Sequence, residues 1–332
     1  MRRFAVLGAG AWGTALACQL GRNGIDVRLW GRDAAQIEQM RRTGRNERYL
    51  PDAALPPNVQ PETDFEAALA GADDILIAVP SDAFRATLTA LREAAATPTR
   101  VVWATKGLEL GTGKLLHTVA AEALGADTVT GVLSGPSFAR EVGLGLPTAV
   151  TVASTDEGFA ASLLDAFHGD NFRVYTSDDV IGVEIGGAVK NVIAIAAGIA
   201  DGLAFGANAR AGLITRGLAE IMRLGAAIGA RPETLMGLAG LGDLILTCTG
   251  DLSRNRRLGL ALAAGKPRES AVAEIGQAVE GIGAAKAICQ RAAERHIEMP
   301  ITEHVYRVLY EALPPRDAVE MLLSRAPKSE HE

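Results

Sequence analysis

At 332 residues the chain is about twice the length of a typical domain, so two domains are the expectation. Its 48% hydrophobic and 22% charged content is that of an ordinary soluble globular protein. A net charge of −6 argues against nucleic acid as the main partner. Three cysteines, Cys18, Cys248 and Cys289, form no CxxC pair, which suits reduced thiols and a cytoplasmic location.

The first predicted element is the apolar strand Arg3–Leu7, and directly after it comes Gly8-Ala9-Gly10-Ala11-Trp12-Gly13. An alanine-rich helical stretch over 11–20 follows, and a second strand, Asp26–Trp30, completes a βαβ-sized unit. In G-x-G-x-x-G the first Gly permits the tight strand-to-helix turn and the second lets backbone approach a pyrophosphate. The third lets helix and strand pack closely, and the helix N-terminus offers free N–H groups to the anion. With 37 glycines in the chain the motif alone is weak; its strand and helix context makes it a dinucleotide site. Arg2-Arg3 and Ala15-Leu16-Ala17 imitate a secretory signal, but the three interrupting glycines argue against one.

Residues 44–61, rich in Arg, Pro and Asn, read as a long surface loop. Further strands are expected at 74–79, 100–104, 128–133, Thr148–Ala153 and 172–176. Several are continuous apolar runs, as Ile75-Leu76-Ile77-Ala78-Val79 is, which suits strands covered on both faces. Helical stretches between them predict an α/β architecture: a Rossmann-type, doubly wound, mostly parallel sheet with right-handed crossovers. After Ser177-Asp178-Asp179, a plausible helix cap, the alternation stops. Helices are expected at 180–203, 207–229, 253–264, 281–295 and 302–312. The expected domains are therefore 1–177, binding a dinucleotide, and 178–332, all-helical and binding substrate. The most apolar stretch, 181–200, holds Glu184 and Lys190 and makes a poor bilayer span. No fixed-period repeat is visible, and the tail, 326–332, is polar and expected to fray.

Arg32 lies 19 residues past Gly13, at the end of the second strand. An Arg there accommodates the 2′-phosphate of NADPH, whereas an acidic residue holds the ribose hydroxyls of NADH. NADPH is favoured; NADH stays open if Asp33 turns inward. Alternatively Arg32 is merely solvated and Asp33 caps the next helix. Lys190 sits among Val189, Val192 and Ile193 with no partner at helical spacing, because Glu184 falls on a roughly opposite face. Desolvation should lower its pKa toward the range of a proton shuttle. The competing reading is a lysine snorkelling its amine to water. Gly186 and Gly187, one turn earlier, could let a ligand come close.

Lys106 and Gly135-Pro136-Ser137 each follow a predicted strand, at the edge where open α/β sheets bind ligands. Either could equally be an ordinary loop or turn. Ser253-Arg254-Asn255 at a helix start could cradle a phosphate, or simply cap the helix. Asp243, in a glycine-rich apolar segment, could orient a lysine or a substrate hydroxyl, or be a turn residue. The five histidines, His117, His168, His296, His304 and His331, show no metal-ligand spacing, so no metal is expected.

Together these segments resemble the bacterial NAD(P)-dependent glycerol-3-phosphate dehydrogenases. The likeness rests on GAGAWGTALA (8–17), NERYLPDAALP (46–56), ATKGLE (104–109), LSGPSFARE (133–141), GGAVKNVIAIAAGIADGL (186–203), GLAGLGDLILTCTGDLSRNRRLG (237–259) and VEGIGAAK (279–286). The resemblance implies a Rossmann-type domain followed by a helical one. It also implies interconversion of dihydroxyacetone phosphate and sn-glycerol 3-phosphate for phospholipid synthesis. By motif, it makes Lys190 the proton donor or acceptor. It places Lys106, Gly135, Ser137, Asp243, Ser253, Arg254 and Asn255 at the substrate. It puts Gly8, Gly10, Ala11, Trp12, Gly13, Arg32, Tyr49, Lys106, Ala139, Arg254 and Glu280 around the cofactor. Ala11 stands where members commonly carry Ser, and Asp52 replaces a usual Gly. Two rivals are a keto-acid reductase of related fold, which needs no phosphate cradle, and a nucleotide sensor, which needs no lysines. The sequence does not give the oligomeric state; a homodimer is compatible with it.

Overall fold

The computed structural model describes residues 2–94, 100–327 and 329, so part of the tail expected over 326–332 lies outside the described residues. The first half alternates strand and helix: β1 (Arg3–Leu7), α1 (Ala11–Arg22), β2 (Asp26–Trp30), α2 (Ala34–Thr43), β3 (Arg45–Asn46), β4 (Leu50–Ala54), β5 (Val59–Glu62), α3 (Phe65–Leu69), β6 (Asp74–Ile77), α4 (Ser81–Ala94), β7 (Arg100–Trp103), α5 (Leu116–Leu124), β8 (Thr130–Ser134), α6 (Ala139–Gly143), β9 (Thr148–Ala153), α7 (Glu157–Phe167) and β10 (Phe172–Ser177). The second is helical: α8 (Val180–Gly202), α9 (Gly206–Ala227), α10 (Pro232–Met236), a π turn at Leu238–Gly242, α11 (Asp243–Thr249), α12 (Arg254–Ala263), α13 (Arg268–Ile275), α14 (Glu280–Glu294), α15 (Pro300–Tyr310) and α16 (Pro315–Leu323).

Eight strands form one sheet in the order β10-β9-β8-β7-β6-β1-β2-β5. Neighbours are parallel except β8 and β9, which run antiparallel. The strand order reverses between β1 and β6, and a crevice outside the strand ends is expected there. Side-chain alternation along each strand feeds two cores. Val6, Leu29 and Leu76 pack with Leu16 and Leu20 of α1, whereas Ala5, Leu7, Ile75 and Ile77 pack with Phe84 of α4 and Val119 of α5. Burial on both faces explains the unbroken apolar runs.

Residues 44–61 are not a loop. They form the β3–β4 hairpin and the edge strand β5, which pairs with β2. Leu50, Ala53 and Val59 are buried. Pro51 and Pro61 sit in strands at which the ladder needs no N–H from them, as edge strands permit. The hairpin also holds the glycine turn: the buried Asn46 Nδ2 donates to the Ala9 carbonyl at 3.0 Å and to Thr14 Oγ1 at 2.8 Å.

The axis of the helical region is α8, almost wholly buried among α9, α11, α12 and α14. Asp179 caps it, accepting from the Gly182 N–H at 2.8 Å. Among the described residues α8 is the one helix long and apolar enough to cross a membrane, and here its sides are covered by protein. Helices α10, α11, α13 and α16 and the π turn were not expected from the sequence.

Candidate active site

Three glycines shape the turn after β1. Gly8 has φ +122°, and a Cβ there would lie 2.7 Å from the Ala78 carbonyl oxygen. Gly13 faces the Gly8 carbonyl and Ala78 Cβ, so α1 presses directly on the sheet at the β1–β6 reversal. Gly10 has no neighbour where its Cβ would be, leaving backbone open to the crevice at the start of α1. The Trp12 indole Nε1 is buried without a partner. An open backbone cradle at a helix start, with an unsatisfied donor beside it, fits a dinucleotide.

The ends of β7 and β8 open on the same edge. Lys106, three residues past β7, donates from Nζ to the Gly135 carbonyl at 3.2 Å and to Asp243 Oδ2 at 2.7 Å. Gly135, at φ +145°, lies so close to β9 that a Cβ would sit 2.9 Å from Val150 Cα. Its carbonyl also accepts from Ser137 Oγ at 2.9 Å. The other carboxylate oxygen of Asp243, Oδ1, is paired with Lys190 Nζ, which also donates to Thr247 Oγ1 at 3.0 Å. Asp243 is 1% and Lys190 6% exposed.

One buried carboxylate thus bridges two ammonium groups carried by different elements. Burial pushes the Lys190 amine down to about 8; the Asp243 charge holds it up and the Lys106 charge lowers it further. The lysine does have a partner, but one 53 residues away in sequence rather than on its own helix. Glycines 186 and 187 admit protein, not a ligand. A Cβ at Gly186 would strike the Ala239 carbonyl of the π turn, and one at Gly187 would sit 3.1 Å from Ser134 Oγ and 3.5 Å from Lys106 Cγ. Close approach of α8 to both elements is what brings the lysines to one carboxylate.

Helix α12 is preceded by Ser253, whose hydroxyl accepts from the Arg256 N–H at 3.2 Å. The capping reading therefore holds for Ser253. Asn255 is buried and committed to a bridge: its Nδ2 donates to Asn191 Oδ1 at 2.8 Å and its Oδ1 accepts from the Gly281 N–H at 3.0 Å. Arg254 forms no salt bridge with a described residue and faces Glu280 at the start of α14. Burial raises the Glu280 carboxyl, and the charges of Arg254, Lys106 and Lys190 pull it back. These cations and Glu280 share one region, and of the three cations only the two lysines have a salt bridge with a described residue.

Around the end of β2, Asp33 caps α2, accepting from the Ala35 and Gln36 N–H groups at 3.1 Å each, and pairs with Arg48 at 3.0 Å. The Arg48 guanidinium stacks over the half-buried Tyr49 ring, 5.0 Å from its centroid. Arg32 is exposed and makes no ion pair with a described residue. Ala139 opens α6, and it and Trp12 each pack against the core on the α1 side of the sheet. Among the described residues no cluster of His, Cys, Asp and Glu is built to hold a metal ion.

Sequence reasoning missed Thr247, Asn191 and Glu184. Thr247 lies one helical turn past Asp243, and that i, i+4 spacing beside a lone buried acid was the available signal. Asn191 adjoins Lys190 and offered only its polarity inside an apolar helix.

A mostly parallel sheet with a glycine cradle at its strand reversal, and two lysines held by one aspartate at the same sheet edge, defines a nicotinamide-dinucleotide-dependent dehydrogenase. Family models for the NAD-dependent glycerol-3-phosphate dehydrogenase N-terminus and C-terminus match residues 3–160 and 179–320. The chain belongs to that family. It is 57% identical over 329 residues to the glycerol-3-phosphate dehydrogenase [NAD(P)+] of Nitrosococcus oceani, covering 99% of this chain and 96% of the relative. The enzyme of the same name from Thioalkalivibrio sulfidiphilus is also 57% identical, over 98% of each chain. The crystal structure of glycerol-3-phosphate dehydrogenase from Coxiella burnetii superposes with a TM-score of 0.95 at 49% identity, covering 98% of this chain and 99% of that one.

Proposed function

We propose that the chain reduces dihydroxyacetone phosphate to sn-glycerol 3-phosphate, reversibly, supplying glycerophospholipid synthesis in the cytoplasm. The observation that carries the reading is the Lys106–Asp243–Lys190 bridge at the carboxyl edge of the sheet. The cofactor, when bound, supplies the hydride. The chain's own residues do the rest. As an ammonium, Lys190 donates the proton that the C2 oxygen needs as alkoxide charge develops, and Lys106 stabilises that charge. Asp243 holds both amines in place and keeps Lys190 protonated at neutral pH. Arg254 and the start of α12 bind the phosphate, which fixes the carbonyl carbon at the nicotinamide. Ser253 keeps its hydroxyl proton for the same anion, and Asn255 joins α12 to α8 and α14. Gly135 and Ser137 line the substrate side of Lys106.

On the cofactor side, Gly8, Gly10 and Gly13 form the pyrophosphate turn, with Ala11, Trp12, Tyr49, Ala139 and Glu280 around it. Arg32 receives the 2′-phosphate, so NADPH is preferred and NADH is accepted. Supporting that preference, the Asp33 carboxylate is committed to the α2 cap and to Arg48. The division into a dinucleotide domain, 1–177, and a substrate domain, 178–332, accords with the change from strands to helices between β10 and α8.

The test is NADPH oxidation with dihydroxyacetone phosphate. Replacing Lys190 by Met should cost at least about 10²-fold in kcat, with NADPH binding near normal. A folded Lys190→Met protein with wild-type kcat would overturn the reading.

A further inference from the structure

A buried carboxylate on α8 takes no part in the steps above. Glu184 is 5% exposed and lies six residues before Lys190, on a different face of the helix. Its Oε1 accepts from the Trp103 indole Nε1 at 3.2 Å and from the His117 backbone N–H at 2.9 Å. Its Oε2 accepts from His117 Nδ1 at 2.6 Å. Trp103 ends β7, three residues before Lys106, and His117 lies in the first turn of α5. One side chain therefore ties the helix bearing Lys190 to the strand that leads into Lys106.

The other α8 contacts on this side are apolar or glycine ones: Val180 and Val183, Gly186 and Gly187, and the cluster that Ile185 and Ala188 share with Leu108 and Leu115. Apolar and glycine contacts set the distance between elements, but dispersion has no direction and leaves sliding along the helix axis weakly opposed. Three directional hydrogen bonds to one carboxylate oppose it strongly. A buried ionic group is a poor source of stability, since a hydrophobic replacement of similar volume is often as stable or more so. Its location at the junction of the two lysine-bearing elements gives it a different use.

We propose that Glu184 is a positioning residue for the reductase reaction: through its bonds to Trp103 and His117 it fixes Lys190 relative to Lys106, and so the geometry of the Asp243 bridge. The inference rests on the roles of Lys190 and Lys106 given above. A displacement of about 1 Å in a reacting group can cost about 10²-fold in rate. Glu184 does not touch the glycine cradle, so cofactor binding is untouched.

Glu184→Gln keeps the length of the side chain. Its amide oxygen can accept both N–H bonds, and its NH₂ can donate to Nδ1 of the neutral imidazole. Glu184→Asp keeps the charge but withdraws it by one methylene. Positioning therefore ranks Gln above Asp: kcat within about threefold of wild type for Gln, about 30-fold lower for Asp, and KM for NADPH unchanged in both. The reverse order would mean that charge is what matters and would overturn the proposal. So would wild-type kcat in both variants, even with lowered Tm, because a purely structural residue changes how much protein is folded and not the turnover of what is folded.

Should Glu184→Asp fail to fold, His117→Ala serves, since it is half-buried and leaves the backbone N–H bond in place. It should lose about three- to tenfold in kcat with KM for NADPH unchanged; unchanged kcat overturns the proposal. Lys190→Met is assayed alongside. Activity in that variant sinks the underlying reading, whereas an inactive Lys190→Met beside wild-type kcat in the Glu184 and His117 variants sinks this inference alone.

Discussion

Lys190 shows how one residue's chemistry is set by its surroundings. Burial lowers its amine to about 8, so at pH 7 it is mostly an ammonium. If Lys190 gives the proton that reduction needs, kcat/KM for dihydroxyacetone phosphate should fall as pH rises through about 8, tending to about tenfold per pH unit, while oxidation of glycerol 3-phosphate gains over the same range. Asp243→Asn removes the charge that opposes deprotonation but leaves burial and Lys106. Any residual reductase activity should then fall off at lower pH than in wild type, and pH–rate profiles of both proteins check this. A midpoint unmoved or raised would show that Asp243 does not govern the Lys190 proton. At the cofactor end, Arg32→Ala should raise KM for NADPH by about 10- to 150-fold through loss of one charge-assisted contact. KM for NADH should change little, and equal effects on both cofactors would refute the assignment. That Lys190 is desolvated was legible from its neighbours on the helix. That Asp243 could orient a lysine was legible too; that Lys190 and Lys106 are the lysines it holds was not, because nothing local links residues so far apart in sequence.

Among the elements, α8 and α12 meet at glycines. A Cβ on Gly259 would press on the Ile195 carbonyl and lie 2.9 Å from Gly198 Cα, and backbone atoms cannot turn aside as a side chain can. Gly259→Ala should cost about 1–3 kcal/mol, read from urea unfolding. It should also raise KM for dihydroxyacetone phosphate, because the helix that moves begins with Arg254. An unchanged urea midpoint would mean that α8 and α12 accommodate a methyl group at this contact. The long helices and the apolar strands were legible because their periodicity is set by the backbone and repeated over many residues. The hairpin β3–β4, strand β5 and the π turn were not. Proline and glycine mark turns in sequence, but Pro51 and Pro61 lie in strands, and Gly240 and Gly242 lie in the π turn, where a Cβ on Gly240 would overlap Leu235 backbone.

Taken whole, the molecule carries a glycine turn at the start of α1, two lysines held by one aspartate where α8 meets the sheet edge, and at the start of α12 an arginine that forms no salt bridge with a described residue. If that arginine holds a phosphate, inorganic phosphate or sulfate should compete with dihydroxyacetone phosphate, since the same groups accept any tetrahedral anion. Dihydroxyacetone lacks the anchor and should react with kcat/KM lower by at least about 10²-fold. Similar kcat/KM for the two would remove the phosphate site and favour a reductase of unphosphorylated keto acids.

By itself the sequence determined the sheet-then-helix order of the fold, the glycine turn after β1 and which residues were candidates for the site. Strand and helix periods and the steric demands of Gly8 and Gly13 are local properties, written in consecutive residues. Only the tertiary structure decided how those groups are used. It brought Lys106 and Lys190 to one aspartate, gave Asp33 to the α2 cap and Ser253 to the α12 cap, and filled the space beside Gly186 with the π turn. Hydrogen bonds and ion pairs are short-ranged, so which of them form depends on which distant segments the packing of α8 brings into contact.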